Sequence, residues 1–301
     1  MKRRNFIGLA SAGSVTLSAA PLFAGSVTAD MKTVKKPVLK IAHITDVHIR
    51  PEENAPLRFR KCLREISGLG IDFFLNGGDA IYAADYDGIP RERVRAQWKI
   101  WKDCLIEISD YPVYSCIGNH DIWWDAPDQD DPMYGKDFVV QSLGIPHRYY
   151  SFSAKGWHFI ILDGNNPSVS LDEEQFGWLE NELAQLPANT PVLLMSHYPI
   201  LGVTPYWEGG MHSDYKRLKT LFYKHKDNVK LCLSGHQHLL DSVTYNGTSY
   251  FCNGALSGFW WEKGDDYSAG KGYCQETPPG YAIIELYSDG TFSNTYIPHR
   301  Y

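Results

Sequence analysis

Residues 231–240 read LCLSGHQHLL. The apolar run Leu231-Cys232-Leu233 stops at Ser234-Gly235, and His236 and His238 follow with one residue between them. On an extended segment, residues two apart point the same way. The glycine lets the backbone turn tightly and approach a neighbour closely. Alone, GHxH fits a polar surface loop as well as a metal site. The fold and the function therefore turn on whether other apolar runs end in residues of the same kind.

They do. VLKIAHITDVH (38–48) ends in Asp46-Val47-His48, and DFFLNGGDA (72–80) ends in Gly78-Asp79. YPVYSCIGNHD (111–121) ends in Gly118-Asn119-His120-Asp121, and PVLLMSHYPI (191–200) carries Ser196-His197-Tyr198-Pro199. Short apolar runs bounded by glycine and polar turn residues read as buried strands. In open α/β sheets, ligands bind beyond the carboxyl ends of the strands, so these five ends are expected to converge. They offer carboxylates from Asp46 and Asp79, an amide oxygen from Asn119, and imidazoles from His48, His197, His236 and His238. That mixed nitrogen and oxygen set, without thiolate, suits Zn, Mn or Fe. Seven donors are too many for one ion and right for two if one carboxylate bridges. Paired metals roughly 3.5–4 Å apart serve in-line displacement at phosphorus.

The remaining sequence frames an α/β domain over residues 39–301. Residues 170–186 form an amphipathic helix, with Ser170 and Glu173 at capping-box spacing. A second helix is expected over 213–225. Hairpins are expected to turn at Lys155-Gly156, Asn246-Gly247 and Asp289-Gly290. His43 reads as a packed strand histidine. The acidic loop DAPDQDDP (125–132) reads as solvated. Trp123-Trp124 and Trp260-Trp261 are equally suited to walling a cleft or to filling the core.

The first 29 residues carry Lys2, Arg3 and Arg4, then a moderately apolar run, then small residues at Ala24 and Ala29. This reads as an export signal, and Arg3-Arg4-Asn5-Phe6-Ile7 resembles the twin-arginine type, which points to the bacterial periplasm. Residues 30–38 read as a polar linker. No later segment has the roughly 18 apolar residues of a membrane span. The formal net charge of −6 and the lack of a basic stretch argue against nucleic acid as the main partner. Six cysteines, with no CxxC, allow disulfides in an exported chain, and Cys252 with Cys274 is one possible pair. Oligomeric state is not legible.

Taken in order, DxH, GD, GNHD, a lone histidine and GHxH resemble the calcineurin-like metallophosphoesterase family, over about Ile41 to Gly258. The resemblance implies a two-sheet β-sandwich core flanked by helices, with the active site at the strand C-terminal ends. It implies a first metal on Asp46, His48, Asp79 and His238 and a second on Asp79, Asn119, His197 and His236, with Asp79 bridging. The two ions are expected to be divalent or mixed-valence Mn, Fe or Zn. By the same resemblance, a hydroxide held by the metals would attack the phosphorus of a small phosphate ester in line. His120, not a ligand, assists the leaving oxygen, and Asp121 helps orient it. The sequence departs from the family at the second motif, which commonly reads GDxxD and supplies a partner for the substrate-facing histidine. Here Tyr82 takes that last place, leaving Asp85, Asp87 or Asp121 as the partner. GDxxY also resembles purple acid phosphatases, whose tyrosine binds ferric iron but which lack a histidine at the place of His48. His48 is therefore expected as the ligand, with Tyr82 behind it or walling the cleft. A non-catalytic metal-binding scaffold is the remaining alternative. Monoester and diester substrates are both open.

Overall fold

The computed structural model describes residues 35–262 and 277–300. The expected leader, residues 30–34 of the linker, and Cys274 lie outside the described residues.

In chain order the elements are β1 (Leu39–Ile44), α1 (Ala55–Ser67), β2 (Phe73–Asn76), α2 (Arg91–Leu105), β3 (Val113–Ser115), α3 (Gly135–Leu143), β4 (Tyr150–Ala154), β5 (Trp157–Ile161), α4 (Glu173–Gln185) and β6 (Val192–Met195). They continue with α5 (Thr204–Glu208), α6 (Tyr215–Lys224), β7 (Val229–Ser234), β8 (Leu240–Tyr245), β9 (Thr248–Asn253), β10 (Gly280–Leu286) and β11 (Phe292–Pro298). Two mixed sheets form, ordered β11-β10-β1-β2-β3 and β4-β5-β6-β7-β9-β8. Strands β1, β2 and β3 run parallel in the first, and β5, β6, β7 and β9 run parallel in the second.

Strand periodicity explains how the sheets stack. Phe159, Ile161, Leu193, Met195, Leu231 and Leu233 of the second sheet share one core with Ile41, Phe73 and Leu75 of the first. Their alternate neighbours Ile160, Leu162, Val192, Leu194 and Cys232 face the other way, onto Phe176, Leu179 and Leu183 of α4 and Leu218, Leu221 and Phe222 of α6. With both faces covered, these strands are continuously apolar, as parallel strands buried on both faces are. The expected sandwich flanked by helices is the observed one. Because β1, β2, β3, β6 and β7 end at the residues singled out above, their carboxyl ends deliver those residues.

The local expectations mostly hold. Lys155 and Gly156, with φ of 49° and 86°, join β4 to β5, and Asn246 and Gly247, at 53° and 84°, join β8 to β9. Both pairs have the two positive φ values of a type I′ turn. At the third hairpin the Asp289 carboxylate accepts from Thr291 N–H at 3.1 Å, and Gly290 takes φ 79°. The capping box is not observed. Helix α4 starts at Glu173, and Asp172 is its cap, its carboxylate accepting from Gln175 N–H at 2.9 Å. Ser170 instead donates to Pro167 O. An ionised cap next to the helix N-terminus adds a favourable charge–dipole term that a serine lacks. The acidic loop is not wholly solvated: Asp131 pairs with Arg91, and Asp125 accepts from Gly88 N–H.

His43 is a packed strand histidine, fully buried in β1. Its Nδ1 accepts from Asn253 Nδ2 at 3.0 Å, which requires the neutral ring. Burial pushes its pKa down to about 4, against a smaller opposing pull from Asp46. The unfolded chain takes up this proton near pH 6.5 and the folded chain only near pH 4. The contribution to stability is therefore complete above the unfolded value and declines as pH falls through this window, by up to ~3 kcal/mol. Melting of metal-free protein is expected to drop more steeply between pH 7 and 4 for the wild type than for His43→Asn. Parallel curves would refute the assignment.

Candidate metal centre

Backbone bonds draw the strand ends together within each sheet. Asp46 N–H donates to Gly78 O and His48 N–H to Asp79 O, at 3.1 and 2.9 Å. Gly235 N–H donates to His197 O at 3.0 Å. His236 N–H reaches across the sheets to the Asp46 carboxylate at 3.0 Å. Asp46, His48, Asp79, His236 and His238 all hold positive φ, between 44° and 68°. Left-handed backbone is uncommon outside glycine and concentrates at functional sites, where the surroundings impose it.

The seven residues form two abutting clusters. In the first, His48 Nε2 and His238 Nε2 face each other at 3.0 Å. Asp46 Oδ1 lies 3.3 Å from His238 Nε2 and 3.9 Å from His48 Nε2. In the second, His197 Nε2 lies 3.0 Å from Asn119 Oδ1 and 3.2 Å from Asp79 Oδ2, and its ring contacts that of His236. Asp79 Oδ2 is also 3.7 Å from His48 Nε2, so one oxygen sits between the clusters. Asp46–His48–His238 and Asp79–His197–His236 each bring their donor atoms close enough to share an ion.

The protonation pattern fits cations. Burial opposes ionisation of Asp46 and Asp79, yet the facing imidazoles prevail: Asp46 is held at about 2, by His238 foremost, and Asp79 well below its usual value, by His197 foremost. Burial pushes His48 and His236 down to about 3, so both rings offer lone pairs. His197, despite its burial, is raised to about 9 by Asp79. Its Nδ1 bonds Gly77 O at 2.8 Å, which directs Nε2 into the cluster. His48 Nδ1 is likewise held by Tyr82 O at 3.3 Å. Buried carboxylates need positive partners, and the donor set suits two metal ions.

His120 adjoins the clusters, its ring close enough to His48 and Asp79 to share an ion with them as well, and its Nδ1 meets Asp85 Oδ1 at 2.7 Å. This places Asp85, of the three candidates, at His120 Nδ1. Asp121 is fully buried, and its two oxygens accept from the backbone N–H groups of Gly118, Asp79, Ala80 and Ile81, at 2.8–3.2 Å. These bonds tie the Asp79 turn to the Asn119 turn. Tyr82 gives the site its carbonyl, while its ring lies under the Arg50 guanidinium and against Trp260. Trp260 stacks on His48, whereas Trp261 and Trp123 are core residues and Trp124 is half exposed. No motif spacing marks Asp85 or Trp260.

Gly118 allows this crowding. A Cβ there would overlap the backbone N and carboxylate Oδ1 of Asp79. Gly118→Ala is expected to displace that carboxylate and lower turnover by ~10²-fold, the scale of a misplacement near 1 Å. Full activity with a full metal complement would contradict this packing.

Residues 39–240 match the family model described as Calcineurin-like phosphoesterase. The chain therefore belongs to this family and is a metal-dependent hydrolase of phosphoester bonds. It is similar to a probable cyclic nucleotide phosphodiesterase of Synechococcus, 26% identical over 84% of this chain and 90% of that one. It is also similar to a 3′,5′-cyclic-nucleotide phosphodiesterase of Nostoc, 27% identical over 85% and 90% of the two chains. Purple acid phosphatase 23 of Arabidopsis thaliana is 27% identical over 57% of this chain and 42% of its own. Among solved structures, a dimetal phosphatase from Danio rerio superposes with a TM-score of 0.60 at 17% identity, covering 87% of this chain and 96% of that one. A purple acid phosphatase from yellow lupin gives 0.62 at 15%, covering 88% and 52%. These two likenesses speak to the fold alone. Among the described residues, no helix is long and apolar enough to cross a membrane.

Proposed function

We propose that this member of the calcineurin-like phosphoesterase family hydrolyses small phosphate diesters. The first metal would be held by Asp46, His48, Asp79 and His238, and the second by Asp79, Asn119, His197 and His236. The observation that carries the reading is the single Asp79 oxygen lying 3.7 Å from His48 Nε2 and 3.2 Å from His197 Nε2. When bound, a pair of Mn, Fe or Zn ions would supply Lewis-acid polarisation of the phosphoryl group and would lower the pKa of water. The protein residues hold and orient. Backbone carbonyls fix the tautomers of His48 and His197. Asp85 holds His120 Nδ1, leaving Nε2 to carry the proton that the leaving oxygen takes up.

The diester preference is supported by two relatives matched over nearly their whole length that carry phosphodiesterase names. The purple acid phosphatase similarity covers less than half of that relative. The ferric monoesterase reading rests on GDxxY, and the packing of Tyr82 against Arg50 and Trp260 speaks against it. The complete donor set speaks against a scaffold. The deciding experiment assays protein loaded with Mn, Zn or Fe on bis(p-nitrophenyl) phosphate, p-nitrophenyl phosphate and 3′,5′-cyclic nucleotides. Diester turnover exceeding monoester turnover is expected. No turnover would leave the scaffold. Monoester turnover by a purple protein that loses its colour in Tyr82→Phe would establish the ferric reading.

Export by the twin-arginine route belongs to the same proposal and rests on Arg3-Arg4 and the run that follows. Cell fractionation of the full chain with Arg3 and Arg4 both changed to Lys tests it, and unchanged export would refute it.

A further inference from the structure

We infer that Trp260 is a positioning residue of the metal centre, fixing the ring plane of His48 and the placement of His120 beside it. It lies beyond the residues 39–240 that carry the family match, and the inference rests on the metal-centre reading above. The indole stacks on the His48 imidazole with centroids 4.3 Å apart and planes 5° apart. It meets His120 edge-on at 5.0 Å and 78°, and touches His238 at 5.9 Å. Among the described residues, the polar anchor of His48 behind the cluster is the 3.3 Å bond from Nδ1 to Tyr82 O, which is long for a hydrogen bond. A single long bond leaves an imidazole free to pivot about it. A flat ring lying parallel removes that freedom and aims Nε2.

The backbone agrees. Trp260 and Trp261 take φ of 54° and 67°, a conformation that bulky residues hold only where their surroundings over-determine it. Those surroundings are the backbone of the loop that carries Asp46 and His48. Leu256 N–H donates to Thr45 O at 2.9 Å. Ser257 Oγ donates to Asp46 O at 2.7 Å. Trp261 Nε1–H donates to Val47 O at 2.7 Å. The turn bearing Trp260 is thus tied, residue by residue, to the loop it steadies.

The test compares Mn²⁺ binding by full-length wild type, Trp260→Ala and Trp260→Phe, with Trp124→Ala as a control. Calorimetric titration and electron paramagnetic resonance are the readouts, alongside thermal melting of the metal-free proteins. Removing a group that orients a metal ligand typically weakens binding 10–100-fold. Trp260→Ala is expected to weaken one of the two ions by that factor and leave the other unchanged. The spin-coupled signal of a Mn pair should give way to that of an isolated ion. Trp260→Phe, which keeps a flat ring, should recover most of the affinity, and Trp124→Ala should match wild type. Wild-type affinity in Trp260→Ala would overturn the inference, as would equal weakening in Trp260→Phe, or loss of both ions with a collapsed melting temperature. Should the alanine variant fail to fold, Trp260→Leu, apolar but not planar, takes its place under the same criteria. A wild-type protein that bound none of Mn²⁺, Zn²⁺ and Fe²⁺ would instead overturn the metal-centre reading itself.

Discussion

Asp79→Asn is expected to lose both metal ions together and to lower kcat/KM by ~10³-fold or more. Asparagine keeps the shape of the side chain, so the packing around this buried position survives. Asp79 Oδ1 accepts from His120 N–H at 2.9 Å, and an amide oxygen can still do that. The other oxygen is the one between His48 and His197. Replacing it with an NH₂ group removes a negative charge and points N–H donors at the nitrogens that are to bind cations. Metal stabilisation of the transition state is worth several kcal/mol, and each 1.36 kcal/mol is a factor of ten, so loss of the pair gives the stated range. Variants at His48 or His236, each in one cluster, should deplete mainly one ion. Metal analysis after dialysis distinguishes the cases: an Asp79→Asn protein that retains one ion at full occupancy would show that Asp79 is not shared.

His120→Ala is expected to fold, to keep both ions and to lose ~10²–10⁴ in kcat, the usual worth of a positioned general acid. His120 belongs to neither ligand set of the proposal, and its Nδ1 is taken by Asp85. Esters with p-nitrophenolate leaving groups, which need little protonation, should suffer less than esters of ordinary alcohols. Asp85→Asn should show the same leaving-group dependence at smaller amplitude. Asp121→Asn should behave differently, because its carboxylate secures four backbone N–H groups of the two turns that carry Asp79 and Asn119. It is expected to lower thermal stability and metal occupancy without changing leaving-group dependence. Loss of metal in His120→Ala, or identical behaviour of the Asp85 and Asp121 variants, would refute this division of roles.

Most of the frame was legible in the sequence because it is written locally. Apolar runs with period two, positive-φ turn pairs such as Asn246-Gly247, and polar residues after Gly77-Gly78 or Gly235 are properties of a few consecutive residues. They placed the strands, the hairpins and the five strand ends, and the residue types at those ends specified a nitrogen and oxygen donor set. The capping box at Ser170 failed because a neighbour, Asp172, competed for the same helix start, and local chemistry permitted either.

What the sequence did not determine is who meets whom. His48 and His238 are far apart in the chain, and they touch only because β1 and β7 lie in different sheets packed face to face. Asp85, Asp87 and Asp121 were indistinguishable as partners for His120, since the loop that brings Asp85 to its Nδ1 has no periodic signature. Asp121 looked catalytic by adjacency, yet the turn aims it at backbone N–H groups. Trp260 read equally well as core or wall, and its stack on His48 exists because the turn after β9 is bonded to the loop after β1. Residue type and turn geometry act over a few residues and can be read from the chain, whereas contacts between remote segments depend on sheet order and layer packing, which only the folded chain decides.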